Sequence, residues 1–233
     1  MTTGDRGIRR IVTAGLLLAI TLLITFTGVG MIPVPTPAAN ATVAHIPAII
    51  GGILEGPLVG LVVGLGFGFA SFMRATIPLF KDPLVAILPR LFIGVTSAYA
   101  FAGLRRASRR TLTVMLAVIL VVLLAFCFEV SKTIAWLGPI LAVVSLAGAV
   151  FLYWWMQRED VQIVALAVVA GVGSLTNTIL VLTMAVVRGY LSAEAAWGVG
   201  LTHGIPEVIV AAIVTIAVVA AVRQIGRRRG SSL

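Results

Sequence analysis

The chain has 233 residues, of which 60% are hydrophobic and 11% are charged, and its mean hydropathy is +1.15. Because about a quarter of the residues of a soluble domain are charged, these values exclude an ordinary soluble protein and indicate an all-α integral membrane protein. The net charge of +9 comes from bases clustered at the ends of apolar runs. That distribution orients a protein in a membrane and argues against a nucleic-acid partner.

Six apolar runs have about the 20 residues that a helix needs to cross a hydrocarbon core of about 30 Å. These predicted spans are Ile8–Gly30, Leu84–Leu104, Leu112–Val130, Ala135–Met156, Val161–Val187 and Ala196–Val222. The first run is too long for a signal peptide and lacks a small-residue cleavage site after it, so we expect a retained helix.

The stretch Val43–Met73 is a harder case, because a single helix of this length would measure roughly 46 Å. Its middle contains Glu55, Gly56 and Pro57, a sequence that favours a turn. We therefore predict two crossings here, which makes about eight membrane helices in the whole chain.

The distribution of bases supports this count and predicts the orientation. With eight crossings, one side of the membrane carries twelve bases, in the segments Met1–Arg10, Arg105–Arg110, Gln157–Asp160 and Arg223–Arg229. The other side carries only Arg74, Lys81, Lys132 and Arg188. By the positive-inside tendency, both termini are predicted to lie in the cytoplasm.

Polar residues within the spans are the main candidates for a functional site, because each must be paired or face a cavity. They are Arg90, Asn177, His203 and Glu207. His203 and Glu207 share one helix face, and charge balance suggests that Glu207 compensates Arg90 directly or through a ligand. A purely structural salt bridge and a polar pocket on the outer side both remain open. The loop "MIPVPTPAANAT", with Asn40 and Thr42, would cover such a pocket.

Catalytic signatures are absent from the sequence: it has no HExxH, GxSxG, Walker or GxGxxG motif in a suitable context. His45 and His203 also lack metal-ligand spacing to the single cysteine, Cys127. We therefore expect no enzyme activity, no bound cofactor or metal, and no nucleotide site. Energy for any transport must come from a gradient or from partner proteins.

Four stretches in this order resemble the substrate-binding S component of energy-coupling factor (ECF) vitamin transporters, in the branch of pantothenate and cobalamin binders. They are "ATVAHIPAIIGGILEGPLVGLVVGLGFGFASF", "DPLVAILPRLFIG", "GSLTNTILVL" and the helix that contains Glu207. The resemblance implies a six-helix vitamin-binding core in the cell membrane, with the ligand held beneath the first loop. On this basis we assign the ligand site to Arg90, Asn177, His203, Glu207, Asn40 and His45.

The resemblance also implies partners: a transmembrane T component and two cytoplasmic ATPases, which would use the ATP. In the family, small residues four apart on the first helix contact the T component, and the nearest match here is Gly15 with Ala19. The chain is expected to form a single membrane domain, residues 1–233, with its core in residues 8–104 and 161–222. A hydrophobic hairpin at about 108–160 interrupts this core and is additional to the family pattern.

The preferred function is vitamin binding for uptake, with pantothenate as the substrate because Arg90 can bind its carboxylate through paired hydrogen bonds. Asn177 and Glu207 would then engage hydroxyl and amide groups. Cobalamin or another B-type vitamin is the first alternative. A gradient-driven secondary transporter is the second, although no internal repeat supports it. An intramembrane enzyme using His203 and Glu207 would lack any nucleophile or metal motif.

Overall fold

The computed structural model describes residues 3–33, 40–133 and 135–230, and these are mostly helical. The helices are α1 (Thr3–Thr27), α2 (Ile46–Glu55), α3 (Pro57–Met73), α4 (Pro83–Ala86), α5 (Leu88–Leu104), α6 (Arg109–Thr133), α7 (Leu137–Arg158), α8 (Val161–Val187) and α9 (Ala193–Gly230). A 3-10 helix at Pro78–Lys81 precedes α4. Strands β1 (Met31–Pro33) and β2 (Asn40–Thr42) form an antiparallel pair in which Met31 lies opposite Thr42.

Five of the described helical segments are long and apolar enough to cross a membrane. They are Gly7–Thr27, Pro83–Leu104, Pro139–Arg158, Val161–Val187 and Ala193–Gln224. The prediction of a multi-pass helical membrane protein is therefore confirmed. Helix α6 contains the span predicted at Leu112–Val130, but several of its side chains lie outside the described residues. The number of eight crossings stays a prediction.

The stretch Val43–Met73 forms two shorter apolar helices, α2 and α3, which pack against each other. They meet at Gly56, whose φ of +97° lies in the region that favours glycine, and Pro57 begins α3. The chain thus turns within the sequence Glu55–Gly56–Pro57, for the backbone reasons that make this triplet a turn signal.

The chain divides into two compact units, one of residues 1–102 and 166–233 and the other of residues 103–165. In the second unit, α6 and α7 pack as a helical hairpin. Arg109 at the start of α6 donates hydrogen bonds to the backbone carbonyls of Met156 and Glu159. Arg158 stacks on the ring of Trp154, with 3.8 Å between its Cζ and the ring centroid. Whether the chain is one membrane domain with an inserted hairpin stays a prediction.

Helices α3 and α5 approach each other closely at their glycines. A Cβ atom placed on Gly60 would lie only 2.7 Å from the backbone of Gly94, and one on Gly64 would collide with the carbonyl of Arg90. Lipid gives helices no hydrophobic reason to associate, so such close backbone packing is a main source of their attraction. The stripe of Gly60, Gly64 and Gly68 therefore fixes the position of the helix that carries Arg90.

Candidate functional site

A cavity of about 240 Å³ lies within the first unit. Its walls come from the end of α1, both β-strands, the end of α3 with the segment after it, and the start of α5. The lining residues are Thr25, Met31, Asn40, Thr42, Phe67, Ser71, Arg74, Ala75, Thr76, Ile77, Phe80 and Arg90. The described lining contains two guanidinium groups, several hydroxyl groups and two phenyl rings, and none of these described residues is a carboxylate. Its chemistry suits a small anion with both polar and apolar parts.

Arg90 is the deepest cation of the cavity wall and is only 3% exposed. Its guanidinium carbon lies 5.4 Å from the ring centroid of Phe67 and 5.0 Å from that of Phe80, so the cation sits against two aromatic rings. One terminal nitrogen donates to the carbonyl of Val85. The Nε–H group has no hydrogen-bond partner among the described residues. A buried donor without a partner is costly, and this donor belongs to a side chain that lines the cavity.

Residues 75–82, which we call the wall segment, form one side of the cavity. Thr76, Ile77 and Phe80 reach the cavity from it. Leu79 of the same segment packs with Val85 against α8. The apolar contact to α8 therefore holds the wall segment in place from the side that faces away from the cavity.

Strands β1 and β2 form a second side of the cavity, through Met31, Asn40 and Thr42. The Arg74 guanidinium donates to the carbonyl of Thr25 and contacts the Met31 sulfur at 3.0 Å. Arg74 thus connects the end of α3 to the end of α1 and to β1. Residues 34–39, the middle of the loop predicted to cover the site, lie outside the described residues.

Glu207 is buried on α9 and is hydrogen-bonded to the strand pair. One carboxylate oxygen accepts a hydrogen bond from the backbone nitrogen of Thr42 at 2.7 Å, and the other accepts from the Thr178 hydroxyl at 3.2 Å. Glu207 and Arg90 thus have separate polar partners. The carboxylate supports the cavity wall at Thr42 and does not itself line the cavity.

The other predicted site residues occupy different places. Asn40 lines the cavity together with Arg90. Asn177 is buried on α8 beside Thr178, and its side-chain oxygen has no partner among the described residues. His45 is fully buried between β2 and α2, where neither ring nitrogen makes a hydrogen bond of normal geometry to the described part of the chain, although the backbone of Thr42 is near. His203 is buried one turn before Glu207. Asn177, His45 and His203 are not among the residues that line the cavity.

Gly15 and Ala19, predicted to contact a T component, are both exposed on α1. A Cβ atom on Gly15 would meet no other atom within 4 Å. The face is therefore sterically open.

Several lining residues were not among the predicted site residues, notably Arg74, Phe67 and Phe80. In the sequence, Arg74 is one of the few bases predicted on the outer side, and its place as a lone base at the end of an apolar helix is the signal that could have identified it. Phenylalanines in an apolar run carry no comparable signal, because most of them pack against lipid or other helices.

Comparison with protein families gives one result that covers most of the chain. Residues 9–219 match the family model described as the substrate-specific component of ECF transporters. No curated protein matches the chain. The match agrees with the resemblance drawn from the sequence at the level of the family, and it applies to the family as a whole.

Proposed function

The chain belongs to the substrate-specific components of ECF transporters, and from this premise we propose that it binds a vitamin for uptake, with pantothenate as the preferred substrate. The observation that carries the choice is the buried Arg90 beside the cavity, with its Nε–H unpaired among the described residues. Pantothenate offers a carboxylate for this guanidinium, and charge-assisted bonds of this kind are about twice as strong as neutral ones.

The remaining groups of pantothenate also find suitable neighbours in the cavity. Its hydroxyl and amide groups can bond to Asn40, Thr42 and Ser71. Its two methyl groups can pack on Phe67 and Phe80, which also flank the guanidinium. In this arrangement Glu207 acts through Thr42 because its carboxylate already has two partners. This role differs from the direct contact that we expected from the sequence.

Cobalamin is the alternative vitamin, and the size of the cavity argues against it. The volume of about 240 Å³ lies below the range of roughly 300–1,000 Å³ typical of sites for drug-sized ligands. A corrin ring with its nucleotide tail is several times larger. Cobalamin would require the strand pair and the wall segment to separate, which would break the contacts of Arg74 and Phe80 described above.

The proposed orientation places both termini in the cytoplasm and the cavity toward the outside. The cavity is built from the C-terminal ends of α1 and α3 and from the start of α5, which are the helix ends that the charge pattern assigns to the outer side. Uptake would require a T component and two ATPases, since the sequence has no phosphate-binding loop. The open face at Gly15 and Ala19 is the proposed contact for the T component.

Mass spectrometry of the small molecules that copurify with the detergent-solubilised protein tests the proposal directly. Titration calorimetry with pantothenate and with cobalamin, in the absence of ATP, then ranks the two vitamins. We expect pantothenate to copurify and to bind without ATP. Tight binding of cobalamin without binding of pantothenate would identify the protein as a cobalamin-binding component. Proton-driven accumulation in vesicles by the chain alone would favour a secondary transporter.

A further inference from the structure

Asp82 is a buried acid at the end of the wall segment, and it has three hydrogen-bond donors. Its carboxylate accepts from the Arg188 Nε at 2.7 Å and from the Tyr190 hydroxyl at 3.4 Å. It also accepts from the Leu84 backbone nitrogen at 2.9 Å, as the N-cap of α4. Asp82 therefore joins the start of α4 to the segment that follows α8.

Two links lead from Asp82 to the guanidinium of Arg90. Phe80, two residues before Asp82, lies against one face of the guanidinium. Val85, three residues after it, accepts a hydrogen bond from Arg90 through its carbonyl. Asp82 thus lies in the chain between the two residues that bring an aromatic ring and a carbonyl to the cation.

The apolar contacts beneath this region form one small cluster with α8 and the segment that follows it. Leu79 and Val85 pack against Val181 and Ala185 of α8, with Phe80 and Ile77 only partly buried at the edge. The ion pair is added to this apolar contact, and its Asp82 side is buried while Arg188 is about half exposed. The ion pair and the apolar cluster therefore hold the segment that carries Phe80 together.

We propose that Asp82, through its ion pair with Arg188, is a positioning residue for anion binding: it holds Phe80 and the Val85 carbonyl against Arg90, so that the guanidinium keeps its place in the cavity wall. This inference rests on the proposed function, in which Arg90 binds the carboxylate of the substrate. It assigns the selectivity for an anion partly to a pair of residues that do not line the cavity.

The test uses four variants of the full-length protein in lipid nanodiscs. Asp82→Asn keeps an oxygen that can cap α4 but loses the ion pair, and Arg188→Gln loses it from the exposed side. Arg188→Lys keeps the charge without the planar guanidinium. Arg9→Gln is the matched control, because it removes the 3.0 Å ion pair between Arg9 and Glu55 in the same unit, away from the cavity lining.

Two measurements are made on each variant. The first is the Kd and dissociation rate of radiolabelled pantothenate. The second requires no ligand: it is the rate at which phenylglyoxal modifies Arg90, followed by peptide mass spectrometry. We expect Asp82→Asn and Arg188→Gln to raise the Kd about tenfold, mainly through faster dissociation, and to make Arg90 react several times faster. Arg188→Lys should fall between these variants and the parent, and Arg9→Gln should match the parent.

Unchanged Arg90 reactivity in Arg188→Gln and Asp82→Asn would overturn the positioning role. So would an equal increase in Arg9→Gln, since the effect would then be a general loosening of the fold. If the parent binds no pantothenate but Arg90 still becomes reactive in both variants, the proposed substrate is wrong and the positioning role stands. Should Asp82→Asn fail to fold, the two Arg188 variants decide the question alone, because Arg188 is largely at the surface.

Discussion

The carboxylate of Glu207 accepts a 2.7 Å hydrogen bond from the backbone nitrogen of Thr42, across 165 positions of sequence. This bond fastens the strand pair to α9 and ties the cavity-lining residue Thr42 to a helix that does not itself line the cavity. From the sequence, Glu207 is expected to bind the ligand. In the structure, its burial is accounted for by the hydrogen bond that it accepts from the backbone of Thr42.

Removing this carboxylate should weaken binding through the strand pair. We expect Glu207→Ala to raise the Kd for pantothenate about 10-fold or more, because a hydrogen bond to a charged group contributes roughly 1.5–3 kcal/mol. Glu207→Gln is the matched variant, since its amide oxygen can still accept from Thr42, and its effect should be much smaller. Calorimetry on the two variants measures the difference. Equal losses in both would instead indicate direct contact between the charge and the ligand.

Arg90 should be needed for binding, but its buried charge should destabilise the protein when no ligand is bound. Its charge is buried against two rings and one carbonyl, and no carboxylate of the described residues is in hydrogen-bond contact with it. Replacing such a charge by a well-packed apolar group is often neutral or stabilising. We therefore expect Arg90→Met to lose pantothenate affinity by about 10- to 150-fold while its melting temperature without ligand stays equal or rises.

The control for this variant is pantothenol, in which an alcohol replaces the carboxylate of pantothenate. Arg90→Met should change its affinity little, because the charge partner is missing from the ligand. A large fall in melting temperature with no change in pantothenate affinity would identify Arg90 as a structural tie of the bundle.

The ion pair between Asp82 and Arg188 should give a defined pH dependence of stability. The hydrogen bond from Arg188 holds the pKa of the Asp82 carboxyl below its usual value, and the carboxylate raises the pKa of Arg188. An acid whose pKa is lowered by folding contributes stability above its unfolded pKa, and that contribution is lost as the pH falls through the folded pKa. The melting temperature of the parent should therefore exceed that of Asp82→Asn by a constant amount from pH 6 to 8.

The same difference should shrink as the pH falls below the ordinary pKa of an unfolded aspartate, about 3.9, and then through the lower pKa of the folded carboxylate. Melting curves of both proteins in nanodiscs across this range provide the measurement. Arg9→Gln serves as the reference variant for general acid effects. A difference that stayed constant down to the lowest pH at which both proteins fold would show that the ionised carboxylate contributes nothing.

Close packing of α3 on α5 predicts opposite effects for two glycines of the same helix. Gly94→Ala should destabilise the protein by about 1–3 kcal/mol, because the added methyl group meets the backbone of Gly60. Gly103→Ala has open space around its Cβ and should be neutral or stabilising by up to about 1 kcal/mol. Thermal unfolding of the two variants compares them. Destabilisation of equal size would mean that helix packing is not the cause.

The proposed orientation can be measured with single cysteines. In a background where Cys127 is replaced by serine, Lys81→Cys should react with a membrane-impermeant maleimide in intact cells, and Arg10→Cys should react only after lysis. Both positions are exposed on the protein surface. Labelling of Arg10→Cys from outside would reverse the orientation and place the cavity on the cytoplasmic side.

The sequence by itself determined the class of the protein. Apolar runs of membrane length, and bases at their ends, follow from the absence of water in the bilayer core, which acts on each segment separately. The ordered motifs around His45, Arg90 and Asn177 indicated the family that the comparison then matched. Arg90 and Asn40 could be selected for the site because a buried cation and a loop amide are exceptional in such surroundings.

Only the tertiary structure decided which polar residues act together. The partner of Glu207 is a backbone nitrogen 165 positions away, and the partner of Asp82 lies 106 positions away, so no local spacing predicts either pair. The same is true of Phe67 and Phe80, which resemble any other apolar residues until α3, α5 and the wall segment bring their rings to Arg90. Local patterns specify segments, whereas a binding site is formed by contacts between segments, and these depend on packing.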